Sequence, residues 1–149
     1  MGLGLDSTGK FEFLEHTADA FIAAYGASLE EAFGNAALAM FEVMTDTDKV
    51  NAQVKETVEV EAEDEYALLY NWLEALLVKF ELSDMLFSKF EVHKIKDNKE
   101  NFKLEASVWG EKFDPAKHPQ KVGVKAATYH QMEIIKEAEK VSLIFLLDI

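Results

Sequence analysis

Apolar and polar residues alternate along this chain with two different periods. Val58, Val60 and Ala62 are interleaved with Glu59, Glu61 and Glu63. A period of two predicts a half-buried strand over 54–63 with an acidic outer face. Phe102, Leu104, Ala106 and Val108 alternate in the same way with Lys103, Glu105 and Ser107. With residues 86–96 they predict a hairpin closed by Asp97 to Asn101. Elsewhere the apolar spacing is three and four. Leu29, Phe33, Ala36, Ala37, Met40 and Met44 make one face of a helix that ends near Met44. Ser28-Leu29-Glu30-Glu31 opens it as a capping box. Ala67, Leu68, Trp72, Leu73, Leu76 and Phe80 predict a second helix from about Asp64 to Phe80. Tyr66, Leu69, Tyr70 and Leu77 widen its apolar face.

Short strands are predicted at 11–15 and 21–26, interrupted by His16-Thr17-Ala18-Asp19. After a loop holding Pro115, His118 and Pro119, a long strand is predicted over 122–135. A polar turn over 136–140 returns it as a terminal strand from Val141. Residues 1–10 show no period and read as a flexible leader, with 11–149 a single domain. The order of elements predicts an α+β class: one domain, two helices packed on a mostly antiparallel β-sheet. Its two strand–helix–strand segments hint at internal duplication of a β-α-β-β unit.

The 149 residues suffice for a core of ordinary size. No apolar run reaches the roughly 20 residues of a membrane helix, and the first residues lack the charge and length of a secretory signal. With no cysteine, disulfides and thiol chemistry are excluded, and a cytoplasmic protein is expected. The net charge is -13, and all fifteen basic residues are lysines. An acidic chain without arginine is a poor match to an RNA backbone, so no direct nucleic-acid binding is expected. No Gly-rich phosphate loop, nucleophile elbow or HExxH pair is present.

The terminal strand carries an anomaly. Val141-Ser142-Leu143-Ile144-Phe145-Leu146-Leu147 is apolar, yet it runs into Asp148 and Ile149. Asp148 and a terminal carboxylate on Ile149 repel each other at a core edge and call for a cation, a lysine or open water. With the preceding turn centred near Ala138, Val141 faces Ile135, Asp148 falls near Thr128, and Lys125 lies just past the end of the partner strand. Thr128 and His130 then share one face of that strand. Asp19 has two readings. It is a turn residue accepting a backbone N–H, or it joins Asp148 and the chain end in an all-oxygen cation site suited to calcium, magnesium or manganese. His16 and His130 read as hydrogen-bonding residues, His118 as an exposed loop residue, and Lys125 as a solvated lysine or a cation beside the acids.

Several stretches resemble the archease family. They are Phe13-Leu14-Glu15-His16-Thr17-Ala18-Asp19, Tyr25-Gly26 with the helix start at Ser28, Gly110 to His118, Val124 to His130, and the closing Leu147-Asp148-Ile149. The resemblance runs from about Phe11 to the end. It implies a small cytosolic partner of the RtcB-type, GTP-dependent tRNA-splicing RNA ligase, one that promotes ligase guanylylation and turnover, can broaden nucleotide use, and is not itself an enzyme. It implies metal ligands at Asp19, Asp148 and a backbone oxygen of Ile149, with calcium the expected ion. Lys125 is linked to activity, and His16, Thr128 and His130 are expected at the partner contact. A tRNA methyltransferase is the alternative partner, served in a chaperone role. Ala20-Phe21 departs from the small aliphatic residue and glycine that often follow the family's aspartate.

Overall fold

The computed structural model describes residues 9–14 and 19–149, and the backbone of residues 2–5. Its elements are β1 (Gly2–Leu5), β2 (Phe11–Leu14), β3 (Asp19–Gly26), α1 (Leu29–Met44), a 3-10 turn (Thr47–Lys49), β4 (Val54–Ala62), α2 (Glu65–Ser83), β5 (Met85–Asp97), β6 (Phe102–Lys112), β7 (Ala126–Lys136) and β8 (Val141–Asp148). The class is α+β in one domain. The strands form two sheets, β1-β2-β3-β8-β7 and β4-β6-β5, and every described pairing is antiparallel.

Both helices touch both sheets. α1 packs on β3 and β8 of the first sheet and on β5 of the second; α2 packs on β7 of the first and on β4 and β6 of the second. A helix between two sheets must be apolar on more than one side. This explains why Ala32, Ala39 and Phe41 of α1 are buried together with Phe33, Ala36, Ala37 and Met40. The many alanines let α1 approach closely. Trp72 of α2 is fully buried and donates its indole N–H to the Phe33 carbonyl at 2.9 Å, which joins the two helices with no unpaired polar group.

Local chemistry sets the helix ends. Ser28 Oγ accepts from the Glu31 N–H at 3.1 Å, and Glu31 reaches back to the Ala27 N–H at 2.8 Å. Asp64 caps α2 through the Ala67 N–H at 2.8 Å. α2 closes on Asp84 in the left-handed region, with φ of 56°, and runs three residues past Phe80, where its apolar period fades.

Two sequence expectations are corrected here. Residues 122–125 are not strand, and β7 starts at Ala126. The β7–β8 register is also different: Val141 faces Lys136, and Asp148 faces Ala126 rather than Thr128. The 137–140 turn, with the Glu137 N–H bonded to the Lys140 carbonyl, sets the first difference, and a bulge between Thr128 and Glu133, where Gln131 takes a positive φ of 59°, sets the rest. A bulge inserts residues that a simple count from the turn does not see. The backbone of residues 2–5, within the stretch 1–10, pairs with β2.

Candidate functional site

β3 and β8 run antiparallel from Gly26 opposite Val141 to Asp19 opposite Asp148. Their core-facing residues, Ile22, Ala24, Leu143, Phe145 and Leu147, are buried in the shared core. Residues directly opposite in an antiparallel pair point to the same side. Asp19 and Asp148 therefore lie on the outer face at the end of this ladder, with side-chain roots about 5 Å apart. Asp19 is half-buried and Asp148 exposed. Like charges placed directly opposite destabilise a sheet.

The other side of Asp148 is closed by β7. Ala126 faces it across the ladder, and the Lys125 N–H donates to the Asp148 carbonyl at 2.7 Å. The exposed Lys125 is thus tied by its main chain to the acid strand. On its far side, β7 is an edge strand. Its outward Ala127 N–H is taken by the Glu74 carboxylate of α2 at 2.9 Å, which fixes the start of β7 against the helix.

Thr128 faces Leu146, one alternation inward from Asp148, and its Oγ1 accepts from the His130 N–H at 3.1 Å. That bond helps shape the bulge, in which His130 is exposed and outside the ladder. Tyr129 stacks on Tyr70 of α2, with ring centroids 4.7 Å apart and planes 8° apart. Ile149 is half-buried and packs on the core. His16 lies outside the described residues. The fold therefore gathers Asp19, Asp148, Lys125 and Thr128 at one end of the sheet, with His130 at the rim.

Among the described residues, no three His, Cys, Asp or Glu side chains converge as a metal-holding group. Among the described residues, the side chains at this end supply the Asp19 and Asp148 carboxylates and the Thr128 hydroxyl, all oxygen donors. That donor set fits a hard cation better than zinc or copper.

The segment that delivers Lys125 is strapped down along its length. The Phe113 N–H bonds the Asp84 carbonyl at 2.7 Å, and the Lys121 N–H bonds the Met44 carbonyl at 3.0 Å. Lys121 Nζ reaches Glu42 Oε2 at 2.7 Å. At its centre His118 is 1% exposed, which corrects its reading as an exposed loop residue. Its Nδ1 accepts from the Asp114 N–H at 2.9 Å, so the proton sits on Nε2, which is 2.8 Å from Glu111 Oε2. Glu111 also takes the Lys117 ammonium at 2.6 Å and the Asn51 N–H at 2.9 Å. Burial pushes the Glu111 carboxyl up, but these three donors outweigh it and hold it down at about 2. The sequence carries a partial signal for this lock, since Asp-Pro-x-x-His forms a turn in which Asp114 Oδ1 accepts from the Ala116 N–H. The partner, Glu111, is not marked by any spacing.

Comparison with known proteins gives the family and the fold. Residues 11–149 match the model of the archease protein family (MTH1598/TM1083). The chain is 51% identical to the protein archease of Sulfurisphaera tokodaii, covering 94% of this chain and 99% of that one. It is 49% identical to the protein archease of Pyrococcus abyssi, covering 85% of this chain and 89% of that one. The solution structure of Methanobacterium thermoautotrophicum protein 1598 superposes with a TM-score of 0.82 at 45% identity, over 94% of this chain and 99% of that one. A Thermotoga maritima crystal structure, described as an archease and possible chaperone, shares the fold with a TM-score of 0.58 at 16% identity, over 91% and 94% of the two chains. The chain belongs to the archease family.

Proposed function

We propose that this protein is an accessory factor that activates an RtcB-type, GTP-dependent tRNA-splicing RNA ligase by promoting its guanylylation and turnover. The observation that carries the reading is the direct opposition of Asp19 and Asp148 beside the Lys125 main chain, in a member of the archease family. Two carboxylates held opposite each other at a sheet end suit a task that needs fixed negative charge. Asp19, Asp148 and a main-chain oxygen of Ile149 would hold a divalent cation there, with calcium first and magnesium or manganese as alternatives. Such an ion would neutralise the pair and present a fixed positive centre to a partner's anionic groups.

The chain's own residues then have defined tasks. Asp19 and Asp148 set the charge of the tip. Ala126 and the Lys125 N–H fix the position of the Asp148 backbone, and the Lys125 ammonium lies on exposed chain next to it. Thr128 and His130 form the rim that meets the ligase. The activity belongs to the ligase, and this chain performs no turnover of its own. The overall charge of -13 directs the factor to the ligase protein rather than to its RNA.

The test adds the purified protein to a cognate ligase with GTP and divalent metal and follows covalent ligase–GMP. Stimulation by the wild type that is lost in Asp148→Ala supports the reading. No stimulation by the wild type counts against it.

A second reading, chaperoning a tRNA methyltransferase or another RNA-processing enzyme, draws on the description of the Thermotoga maritima relative as a possible chaperone. It predicts that the partner is kept soluble equally well by wild type and Asp148→Ala.

A further inference from the structure

The second sheet has an outer face of its own, away from the acid pair. Lys55 of β4 and Lys89 of β5 are both direct cross-strand partners of Trp109 on the central strand β6. Both ammonium groups converge on the indole, with Lys89 Nζ at 4.4 Å and Lys55 Nζ at 5.7 Å from the ring centroid. Two devices put Lys89 there. A bulge between Phe87 and Lys89 loops out Ser88, whose Oγ donates to the Val50 carbonyl at 2.8 Å. Next to Trp109, Gly110 lets β5 approach so closely that an added Cβ would sit 1.8 Å from the Leu86 carbonyl oxygen.

Acids outnumber lysines by 28 to 15, and Lys79, Lys117, Lys121 and Lys136 each hold a carboxylate. Among the described residues, neither Lys55 nor Lys89 is in a salt bridge. Their common partner is an aromatic ring, which attracts a cation without neutralising it. The next row inward is Thr57, Ser107 and Glu91. There the His93 ring meets Ser107 Oγ at 2.8 Å and stands 4.0 Å from Glu91. Trp109 is half-buried, whereas Trp72 is fully buried with its N–H satisfied.

We infer that Lys55, Trp109 and Lys89 form a seat for a nucleotide, free or within a single strand, with the base on the indole and a phosphate between the ammonium groups. A bare carboxylate would use the two charges and leave the ring idle; a flat base carrying phosphate uses all three. Both lysines are exposed and can swing from the ring to a phosphate. The net negative charge of the chain opposes long-range attraction, but beyond about 8 Å it is screened at physiological salt, so a short-range seat survives on an acidic protein. This inference is independent of the acid pair and qualifies the expectation, drawn from bulk charge, that the chain avoids nucleic acid.

The test uses the full chain, uniformly labelled with nitrogen-15, and follows the two indole N–H resonances during titration. The probes are guanosine monophosphate, a short oligouridylate and a poly-glutamate peptide. The Trp109 signal should move with nucleotide or oligouridylate, the Trp72 signal should stay, and the peptide should do little. Which of the first two binds more tightly identifies the source. For oligouridylate, the log–log salt slope should be about -0.7, from the one phosphate held between the two lysines. Lys55→Gln with Lys89→Gln should weaken binding about tenfold or more, with the Trp72 signal reporting an intact core. A Trp109 signal unmoved by millimolar nucleotide and by oligouridylate would overturn the inference, and so would equal binding of poly-glutamate.

Discussion

Asp19 and Asp148 are direct cross-strand partners, although 129 positions separate them in the chain. β3 and β8 are adjacent throughout their length, so the last paired residue of one meets the first of the other. The cost of opposing two carboxylates is borne by the apolar ladder behind them, where Ile22, Ala24, Leu143, Phe145 and Leu147 are buried.

The acid pair should behave as a cation-binding site. In chelator, Asp148→Asn should leave stability unchanged or raise it by up to about 1 kcal/mol. With calcium at about 100 times its dissociation constant, the wild type should gain about 2.7 kcal/mol and Asp148→Asn much less. Urea unfolding in each condition checks both arms, and a wild type indifferent to calcium, magnesium and manganese would remove the cation site.

The lock on the 113–125 segment has a pH signature. The Glu111 carboxyl lies below its ordinary value of 4.5, at about 2. The unfolded chain then binds more protons than the folded one between these values. The contribution of Glu111 is complete above about pH 4.5 and is lost as the pH falls toward 2. Glu111→Gln should flatten this part of the stability–pH curve measured by urea unfolding.

His118→Ala should cost about 1–3 kcal/mol, since it strands the Asp114 N–H and takes a donor from Glu111. Because the same segment carries Lys125 to the Asp148 strand, faster amide exchange at Lys125 should accompany the loss. Unchanged exchange at Lys125 would show that the lock and the tip are independent.

The amide of Ala127 tests the other support of the tip. Glu74→Ala removes its acceptor and should raise hydrogen exchange at Ala127 and its β7 neighbours, leaving β3 amides unaffected. Protection at Ala127 equal to the wild type would mean that the helix contact does not hold β7.

Two glycines give a contrast in stability. An added Cβ at Gly110 meets the Leu86 carbonyl oxygen at 1.8 Å, whereas at Gly123 it meets nothing within 4 Å. Gly110→Ala must force β5 and β6 apart and should cost about 2 kcal/mol or more. Gly123→Ala should lie within about 0.5 kcal/mol of wild type. Thermal unfolding of the two variants side by side is sufficient.

What the chain discloses in advance follows from how local each determinant is. The capping box at Ser28, the period of α1 and the alternation of β6 act within a few residues, and each forms where the pattern predicts. The division into two sheets with both helices between them depends on which faces find each other. α1 gave a partial sign of this, because its buried residues are too many for one stripe. The β7 bulge is shaped by Thr128 bonding to His130 and by Tyr129 stacking on a helix 59 residues away, which no count from the turn contains. His118 is held between the Asp114 N–H of its own loop and Glu111 at the end of β6, and the second of these partners is marked by no spacing. For the acid pair, spacing gave no sign that Asp19 and Asp148 meet; only the family resemblance brought the two together before the ladder was seen.

The role of the acid pair is read directly from the rate of ligase–GMP formation with cognate ligase, GTP and divalent metal, comparing wild type, Asp19→Asn and Asp148→Asn at matched folded concentration. The wild type should stimulate the reaction, and each variant should lose at least tenfold of that stimulation. Variants that stimulate as well as the wild type would contradict this role.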